Sequence, residues 1–274
     1  MQQSIVIIIC YYGNWPWYFS FFLHSCGYNP TVHFIIVTDI YDDIILPPNV
    51  KIINMPLMDV KKRANKAFGF EVSVDFAYKL CDFKPAYGII FNDLIEGYDF
   101  WGHGDIDVVF GNIREFMTDD VLLHHDLLCV RHDVLTGYFQ LFRNTEKMNT
   151  LFMQSKDYKQ VFSSPEHYCF DETNFAYKQF MDGVPWYQVE SDIESMMHVV
   201  KRLEAEGIIR AYFDFHVMEG LPGRIKWQAG KLVYNSQYEL MLFHLIQLKK
   251  IYKPKKAPRK IKNTFYISTS RIYT

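Results

Sequence analysis

Two aspartates separated by one residue, Asp105 and Asp107, are the residues of this sequence best placed to do chemistry. In an extended chain, residues i and i+2 point to the same side, so both carboxylates can face one ligand. The neighbouring glycines, Gly104 and Gly111, let the backbone approach that ligand closely. Magnesium or manganese accepts one or two carboxylates and takes its remaining ligands from phosphate oxygens and water. The pair therefore predicts a divalent cation held against a phosphorylated substrate.

The same motif has other uses. Two loop aspartates can simply cap turns. A phosphatase of the haloacid-dehalogenase type uses the first aspartate of Asp-x-Asp as a nucleophile, but near the start of its fold and with a hydroxyl residue soon after, where this chain has Val108 and Val109. A non-catalytic carbohydrate-binding protein is a further alternative, because the chain has 19 Tyr and 23 Phe. Aromatic rings suit a sugar platform as well as a core.

Short β-branched runs predict the strands that position the motif. We expect strands at 4–10, 33–38, 50–54 and 98–101, with helices at 17–26, 59–67, 71–81 and 86–95. Strands that alternate with helices predict βαβ units around a parallel sheet. Farther along, we expect strands at 126–132 and 138–142, helices at 145–155 and 171–180, and either a strand or a helix at 239–249. No repeat or linker interrupts these elements, so they fit one α/β domain.

The residues around the motif resemble a known group of enzymes. The segment runs from Lys84-Pro85-Ala86-Tyr87-Gly88 through Trp101-Gly102-His103-Gly104-Asp105-Ile106-Asp107 to Phe110-Gly111-Asn112-Ile113. It resembles the GT-A glycosyltransferases, and among them bacterial enzymes of capsule and lipopolysaccharide assembly. The resemblance implies an α/β fold of the Rossmann-like, nucleotide-diphospho-sugar transferase type, with a mixed central sheet and flanking helices. It also implies that Asp105 and Asp107 hold Mn²⁺ or Mg²⁺ against the diphosphate of a nucleoside-diphosphate sugar.

The nucleotide is expected at the carboxyl ends of the first strands, where open α/β sheets bind ligands. The polar residues Tyr11, Tyr12 and Asn14 follow the first strand. Asp39 follows the second strand, where the resemblance implies a contact to the base or ribose; the alternative is a turn or helix cap. No Gly-x-Gly-x-x-Gly follows the first strand, which argues against a nicotinamide dinucleotide. Lys84 can reach a phosphate as a point charge, or stand in solvent as an ordinary surface lysine.

An acidic pair, Asp171 and Glu172, opens the helix expected at 171–180. The resemblance implies that such a pair lies near the anomeric carbon of the donor sugar. In an inverting enzyme one carboxylate would take the proton of the acceptor as general base, whereas in a retaining enzyme it could stabilise or trap the cationic sugar. The alternative is an acid pair that interacts with the helix dipole. The sequence does not choose between the two members.

Two residues near the C-terminus complete the expected site. The resemblance implies a histidine as a further metal ligand and a lysine on the diphosphate, and His244 and Lys249 fit by position. A histidine among apolar residues can equally be a hydrogen-bonded core residue. The chain lacks the Gly-x-x-Lys-Pro-Trp ending of some GT-A families. The sequence therefore leaves open whether His244 is the third metal ligand or a core residue.

The charge is distributed unevenly along the chain. The net charge is −2, yet the nine basic residues from Lys249 onward are accompanied by no acidic residue. We expect one catalytic domain over 1–250, with a nucleotide-binding half at about 1–115 and an acceptor half at about 116–250, and a basic tail over 251–274. The tail can be a solvated extension, a contact to an anionic membrane surface or a nucleic-acid arm. Of the two binding roles we expect the membrane contact and no nucleic acid.

The expected function is a metal-dependent hexosyltransferase of polysaccharide biosynthesis. It would move a hexose from a nucleoside-diphosphate sugar to a saccharide or lipid-linked acceptor. The sequence shows no signal peptide and no apolar run of about 20 residues. Its five cysteines are widely spaced, which favours reduced thiols. We therefore expect a cytoplasmic protein, free or held at the inner face of the membrane.

Overall fold

The computed structural model describes residues 2–256, 258 and 260–273. Its strands are β1 (Ile5–Cys10), β2 (Val32–Thr38), β3 (Val50–Asn54), β4 (Phe100–Gly104), β5 (Val108–Phe110), β6 (Leu127–Cys129), β7 (Phe139–Arg143), β8 (Ala211–Phe213), β9 (Val217–Met218), β10 (Ile225–Gln228), β11 (Lys231–Tyr234), β12 (Tyr238–Leu240), β13 (Leu242–His244), β14 (Thr264–Ile267) and β15 (Ile272–Tyr273).

Short helices connect these strands. The α-helices are α1 (Phe19–Gly27), α2 (Leu57–Phe68), α3 (Leu80–Phe83), α4 (Tyr87–Ile90), α5 (Asn92–Ile95), α6 (Asp119–His124), α7 (Glu146–Asn149), α8 (Tyr158–Ser163), α9 (Tyr177–Met181), α10 (Met196–Ala205) and α11 (Leu248–Ile251). Single 3₁₀ turns cover Ala77–Lys79, Lys84–Ala86, Ile113–Glu115, Leu151–Gln154 and Trp186–Gln188. The end of α2 follows from its sequence, because Gly69 adopts a left-handed φ of 73° and its N–H closes onto the carbonyl of Asn65.

The central sheet has the strand order β3-β2-β1-β4-β7-β6-β8. Strand β1 runs parallel to both β2 and β4, whereas β7 runs antiparallel to β4 and β6. Alternate side chains of β1 enter two different apolar cores, with Ile7 in one and Ile8 in the other. A strand buried on both faces needs apolar residues at every position, which explains its unbroken β-branched sequence. The predicted mixed central sheet with flanking helices is confirmed.

Two smaller sheets complete the structure. One has the order β12-β11-β10-β14-β15 and the other β5-β13-β9. In the second of these, β13 runs antiparallel to β5 and pairs His244 with Val108. The backbone N–H of Leu245 donates to the carbonyl of Asp107 at 2.8 Å. This register places the C-terminal histidine directly beside the Asp-x-Asp motif.

Three predicted elements differ from those observed. The helix predicted at 71–81 is replaced by irregular chain, the 3₁₀ turn Ala77–Lys79 and the first two residues of α3. The helix predicted at 171–180 begins only at Tyr177, because Asn174 and Phe175 have φ values of 53° and 64°, which an α-helix does not accept. The ambiguous segment 239–249 contains parts of β12 and α11 with β13 between them.

Part of the predicted basic tail lies in a sheet. Strand β14 pairs with β10, with Phe265 opposite Trp227, and β15 pairs with β14. Arg259, which belongs to the basic run, lies outside the described residues. The division into a catalytic domain over 1–250 and a tail over 251–274 stays a prediction. Among the helices formed by residues 2–256, 258 and 260–273, none is long and apolar enough to cross a bilayer.

We predict that Phe265→Ala lowers the free energy of unfolding by about 3–5 kcal/mol. The Phe265 ring is fully buried and stacks on Trp227 with 4.9 Å between ring centroids. Urea unfolding followed by circular dichroism measures the change. Tyr238→Ala, in the exposed edge strand of the same sheet, is the control and should cost less than about 0.5 kcal/mol. Equal small losses in both variants would contradict the packing of this strand.

Candidate active site

A cavity of about 440 Å³ opens at the carboxyl ends of β1 and β4. In the sheet, β2 lies on one side of β1 and β4 lies on the other, so the direction of strand order reverses at β1. Open α/β sheets bind ligands at such a switch point. The cavity is lined by most of the residues singled out from the sequence: Tyr11, Tyr12, Lys84, Asp105, Asp107, Asp171, Glu172, His244 and Lys249. Asn14 and Asp39 are exposed and are not among the lining residues.

Asp107 and His244 form the most buried charged pair of the motif. Oδ2 of Asp107 lies 3.3 Å from Nε2 of His244, and both side chains are 7% exposed. The other imidazole nitrogen, Nδ1, donates to Oε1 of Glu219 at 2.9 Å. This hydrogen bond fixes the orientation of the ring, so that Nε2 points at Asp107.

The charges around His244 favour its protonated form. Burial lowers the pKa of His244, but the hydrogen bonds to Asp107 and Glu219 outweigh it and raise the pKa to about 9. Burial would raise the pKa of Asp107, yet His244 and Lys249 lower it below its ordinary value. Asp107 thus lies between two basic side chains, His244 and Lys249.

Glu219 was not predicted from the sequence. It follows the two-residue strand β9, which pairs with β13. Its second oxygen, Oε2, accepts from Arg131 at 2.6 Å, and Arg131 also binds Asp133 at 2.6 Å. Because β9 is too short to leave a periodic pattern, only the paired sheet reveals that this carboxylate supports His244.

Two lysines engage the aspartates of the motif. The Lys84 ammonium is buried and lies 2.7 Å from Oδ1 of Asp105, 2.9 Å from the carbonyl of Gly137 and 3.9 Å from Oδ2 of Asp171. Lys249 contacts Oδ2 of Asp107 at 2.5 Å. The alternative of a solvated Lys84 is therefore wrong. Both lysines provide positive charge where the carboxylates of the motif converge.

The spacing of Asp107 and His244 is compatible with two ligands of one divalent cation. Two ligand atoms about 2.1 Å from one ion and at right angles are about 3 Å apart, close to the 3.3 Å between Oδ2 and Nε2. The Glu219 hydrogen bond on the far nitrogen is the support that metal-binding histidines usually have. Within the described part of the chain, no three His, Cys, Asp or Glu side chains are grouped as a metal centre. The remaining ligands of such an ion would therefore come from a bound substrate or water.

The acidic pair occupies two different environments. Glu172 accepts hydrogen bonds from the N–H of Gly137, the hydroxyl of Tyr177 and, at 3.3 Å, the thiol of Cys169. Asp171 is 3% exposed, and its nearest cation is Lys84 at 3.9 Å. Burial raises the pKa of Asp171 well above its usual range, against the attraction of Lys84. The prediction that this pair opens a helix is wrong, because both residues lie in turns.

A buried ion pair holds the loop that leads to the acidic pair. Asp82 lies 2.9 Å from the Lys79 ammonium and 3.2 Å from Nδ1 of His167, and both Lys79 and Asp82 are fully buried. Asp82 also accepts from the backbone N–H groups of Tyr168 and Phe170 at 3.0 and 2.9 Å. In the sequence, a lysine three residues before an aspartate resembles an ordinary surface pair, so this support was missed.

Several aromatic and sulfur-bearing side chains outside the predicted catalytic, cofactor-binding and metal residues also line the cavity: Cys10, Tyr18, Tyr78, Cys81, Tyr87, Tyr138, His167, Cys169, Phe175 and Tyr177. The signal that could have found the tyrosines is the high aromatic content. Burial raises the pKa of the Cys10 thiol to about 12. A protonated thiol is a poor nucleophile, so thiolate chemistry is not what this cavity favours.

We predict that Asp82→Asn lowers the free energy of unfolding by about 3–5 kcal/mol, because it leaves the Lys79 ammonium buried without a counter-charge. Urea unfolding measures this loss. Asp59→Asn is the matched control, since Asp59 forms the same i,i+3 pair with Lys62 but in solvent; it should cost less than about 0.5 kcal/mol. Equal costs would contradict a structural role for the buried pair.

The same variant should change the pH dependence of stability. Burial would raise the pKa of Asp82, but the hydrogen bond from His167, the attraction of Lys79 and the N–H of Phe170 lower it below its usual value. An acid with a lower pKa in the folded state stabilises the fold above its unfolded pKa and loses that effect as the pH falls. Wild type should therefore lose more stability than Asp82→Asn below about pH 4.

The chain is similar to a solved protein structure and to the profile of one protein family. A solved galactosyltransferase, LgtC in complex with donor and acceptor sugar analogs, aligns over 79% of this chain and 76% of its own, at 10% identity and a TM-score of 0.41. This likeness is too low to support an argument about function. No curated protein matches by sequence. Residues 7–274 match the profile described as "Family of unknown function (DUF6625)", and the chain therefore belongs to that family.

Proposed function

We propose that the cavity binds a nucleoside-diphosphate sugar together with Mn²⁺ or Mg²⁺ and transfers the hexose to a saccharide or lipid-linked acceptor, in the manner of GT-A glycosyltransferases. The observation that supports it most is the Asp107–His244 pair backed by Glu219, at the switch point of the sheet. The sequence after the motif is less suited to a phosphatase of the haloacid-dehalogenase type, because Val108 and Val109 stand where that type has a hydroxyl residue.

The charged side chains suit a diphosphate. Asp107 and His244 would hold the metal, which when bound neutralises charge on the leaving diphosphate. Lys84 supplies further positive charge beside Asp105, and Lys249 does so beside Asp107. We assign Asp105 to orienting Lys84 and completing the negative charge that attracts the cation. Tyr11 and Tyr12, at the end of β1, would receive the nucleoside. The proposed base or ribose contact of Asp39 and the role of Asn14 lack support from the cavity lining.

Of the acidic pair, we assign the proton transfer to Asp171. The acceptor hydroxyl oxygen would attack the anomeric carbon, the bond from that carbon to the phosphate oxygen would break, and the diphosphate would leave with the electron pair. The hydroxyl proton would pass to the Asp171 carboxylate. Burial raises the pKa of Asp171, so this carboxylate binds a proton more readily than an ordinary aspartate does. Glu172 positions the loop, because three donors already occupy its oxygens.

We predict that one nucleoside diphosphate stabilises the protein in a metal-dependent way. At 100 times its dissociation constant, a ligand that binds only the folded state adds about 2.7 kcal/mol. Thermal unfolding with uridine, guanosine, cytidine and thymidine diphosphates, with and without Mn²⁺, measures this. Asp107→Asn and His244→Gln should each lose the metal-dependent part. Asp214→Asn is the matched control. Oδ2 of Asp214 lies 3.5 Å from Nε2 of His216, and neither residue is among those that line the cavity.

Two outcomes would contradict this assignment. One is that none of the nucleotides shifts the melting temperature of wild type. The other is that the Mn²⁺-dependent shift survives in both Asp107→Asn and His244→Gln. Each variant is compared with itself without ligand, so that a change in its own stability does not enter the result.

We predict different consequences for the two acidic residues. Asp171→Asn should slow release of nucleoside diphosphate from the donor sugar by about 10²–10⁴-fold, with nucleotide affinity unchanged. Glu172→Gln should slow it less, because an amide oxygen can still accept from the N–H of Gly137. Stopped-time chromatography of the released nucleotide measures both rates. A larger loss for Glu172→Gln than for Asp171→Asn would reverse the assignment.

A further inference from the structure

Three aromatic rings form a row along the cavity beside the acidic pair. His167 stands in the middle, with its ring centroid 4.7 Å from that of Tyr78 and 5.8 Å from that of Phe175. All three residues line the cavity. They come from two separate parts of the chain: Tyr78 from the 3₁₀ turn Ala77–Lys79, and the other two from the loop that contains Asp171 and Glu172.

The two outer rings are exposed although both are large. Tyr78 is 65% exposed and Phe175 is 60% exposed. Phe175 also has a φ of 64°, a left-handed conformation that is rare and costly for a bulky side chain. Burial of the Phe175 ring therefore offsets little of this cost. Strained residues of this kind concentrate at ligand sites, and here the strain presents an apolar ring to the cavity mouth.

The row is rigidly supported from below. His167 contacts the buried Asp82, whose carboxylate is held by Lys79 and by two backbone N–H groups. The rings of Tyr78 and Phe175 stand edge-on to that of His167, at interplanar angles of 68° and 86°. The central ring is therefore held in place, and the two outer rings rise from it as exposed apolar faces.

The position of the row separates it from the nucleotide end. Tyr11 and Tyr12 stand at the end of β1, whereas Phe175 follows Asp171 by four residues. Lys84 lies between Asp105 of the metal motif and Asp171. In the proposed reaction, the acceptor hydroxyl must approach Asp171 from the side away from the diphosphate. The aromatic row lines the same cavity as the acidic pair, and two of its rings belong to the loop that carries the pair.

We propose that Tyr78, His167 and Phe175 form the acceptor subsite and that the acceptor is a saccharide whose pyranose C–H face packs against the exposed ring of Tyr78 or Phe175. This rests on the proposed function, since it names the second substrate of the same site. A pyranose presents C–H groups on one face and hydroxyls at its edge. The rings contact the C–H face, and the hydroxyl of Tyr78 and the imidazole of His167 offer hydrogen bonds to the edge.

The test is saccharide binding by saturation-transfer NMR, with Mn²⁺ and the stabilising nucleoside diphosphate present. The probes are the methyl glycosides of glucose, galactose, mannose and N-acetylglucosamine, together with lactose and cellobiose. We expect wild type to bind at least one probe, and Phe175→Ala and Tyr78→Ala to weaken it about tenfold, the loss of one aromatic contact. Nucleotide affinity should stay unchanged. Tyr187→Ala removes an equally exposed ring, 67% exposed and outside the cavity lining, and should have no effect.

Three outcomes would overturn the inference while nucleotide binding is intact. Wild type binds none of the saccharides, the two variants bind them as wild type does, or the variants weaken the nucleotide instead, which would make the row a base platform. If wild type binds no nucleoside diphosphate at all, the proposed function itself fails. Nucleotide binding therefore separates the two failures.

A second variant checks that the ring is held for binding and not for stability. Phe175→Gly removes the ring and relieves the left-handed strain, since glycine accepts positive φ freely. We expect its melting temperature to rise by about 2–4 °C while saccharide binding falls as in Phe175→Ala. A fall in melting temperature would show that the ring stabilises the fold and would contradict a ring kept for ligand contact.

Discussion

The buried ammonium of Lys84 connects the two acidic halves of the cavity. It contacts Asp105 and the carbonyl of Gly137, and it is the nearest cation to Asp171. The ammonium therefore links the Asp-x-Asp motif, through the partly exposed Asp105, to the buried Asp171 of the acidic pair. Space beside this ammonium is also limited. A side chain at position 137 would clash with the acidic pair, because a Cβ on Gly137 would lie 2.6 Å from Oδ2 of Asp171.

A second constraint acts through backbone pairing. The register of β13 on β5 places His244 beside the end of the Asp-x-Asp loop, and β9 on the other edge of β13 brings Glu219 to the imidazole. Three chain segments far apart in sequence thereby build one carboxylate–histidine–carboxylate chain. The geometry depends on strand pairing rather than on flexible loops, which suits a site that must hold a cation at fixed distances.

Local patterns predicted the strands and the motif, while long-range pairing decided the rest. The strand at 50–54 was predicted with the bounds it has, because a buried β-branched run has few alternatives. Glu219 left no signal, since its strand has two residues. The acidic pair was assigned to a helix on local grounds, but contacts of Asp82 and Gly137 with its loop override that preference. The two lysines contact the aspartates of the motif, and their contact to a diphosphate stays a prediction.

The most direct measurement is anomalous scattering from crystals grown with Mn²⁺ and the nucleoside diphosphate that stabilises the protein. The account predicts one manganese peak within bonding distance, about 2.2 Å, of both Oδ2 of Asp107 and Nε2 of His244, with diphosphate oxygens completing its shell. Density for the nucleotide in the cavity with manganese bound elsewhere, or with His244 still hydrogen-bonded to Asp107, would contradict it.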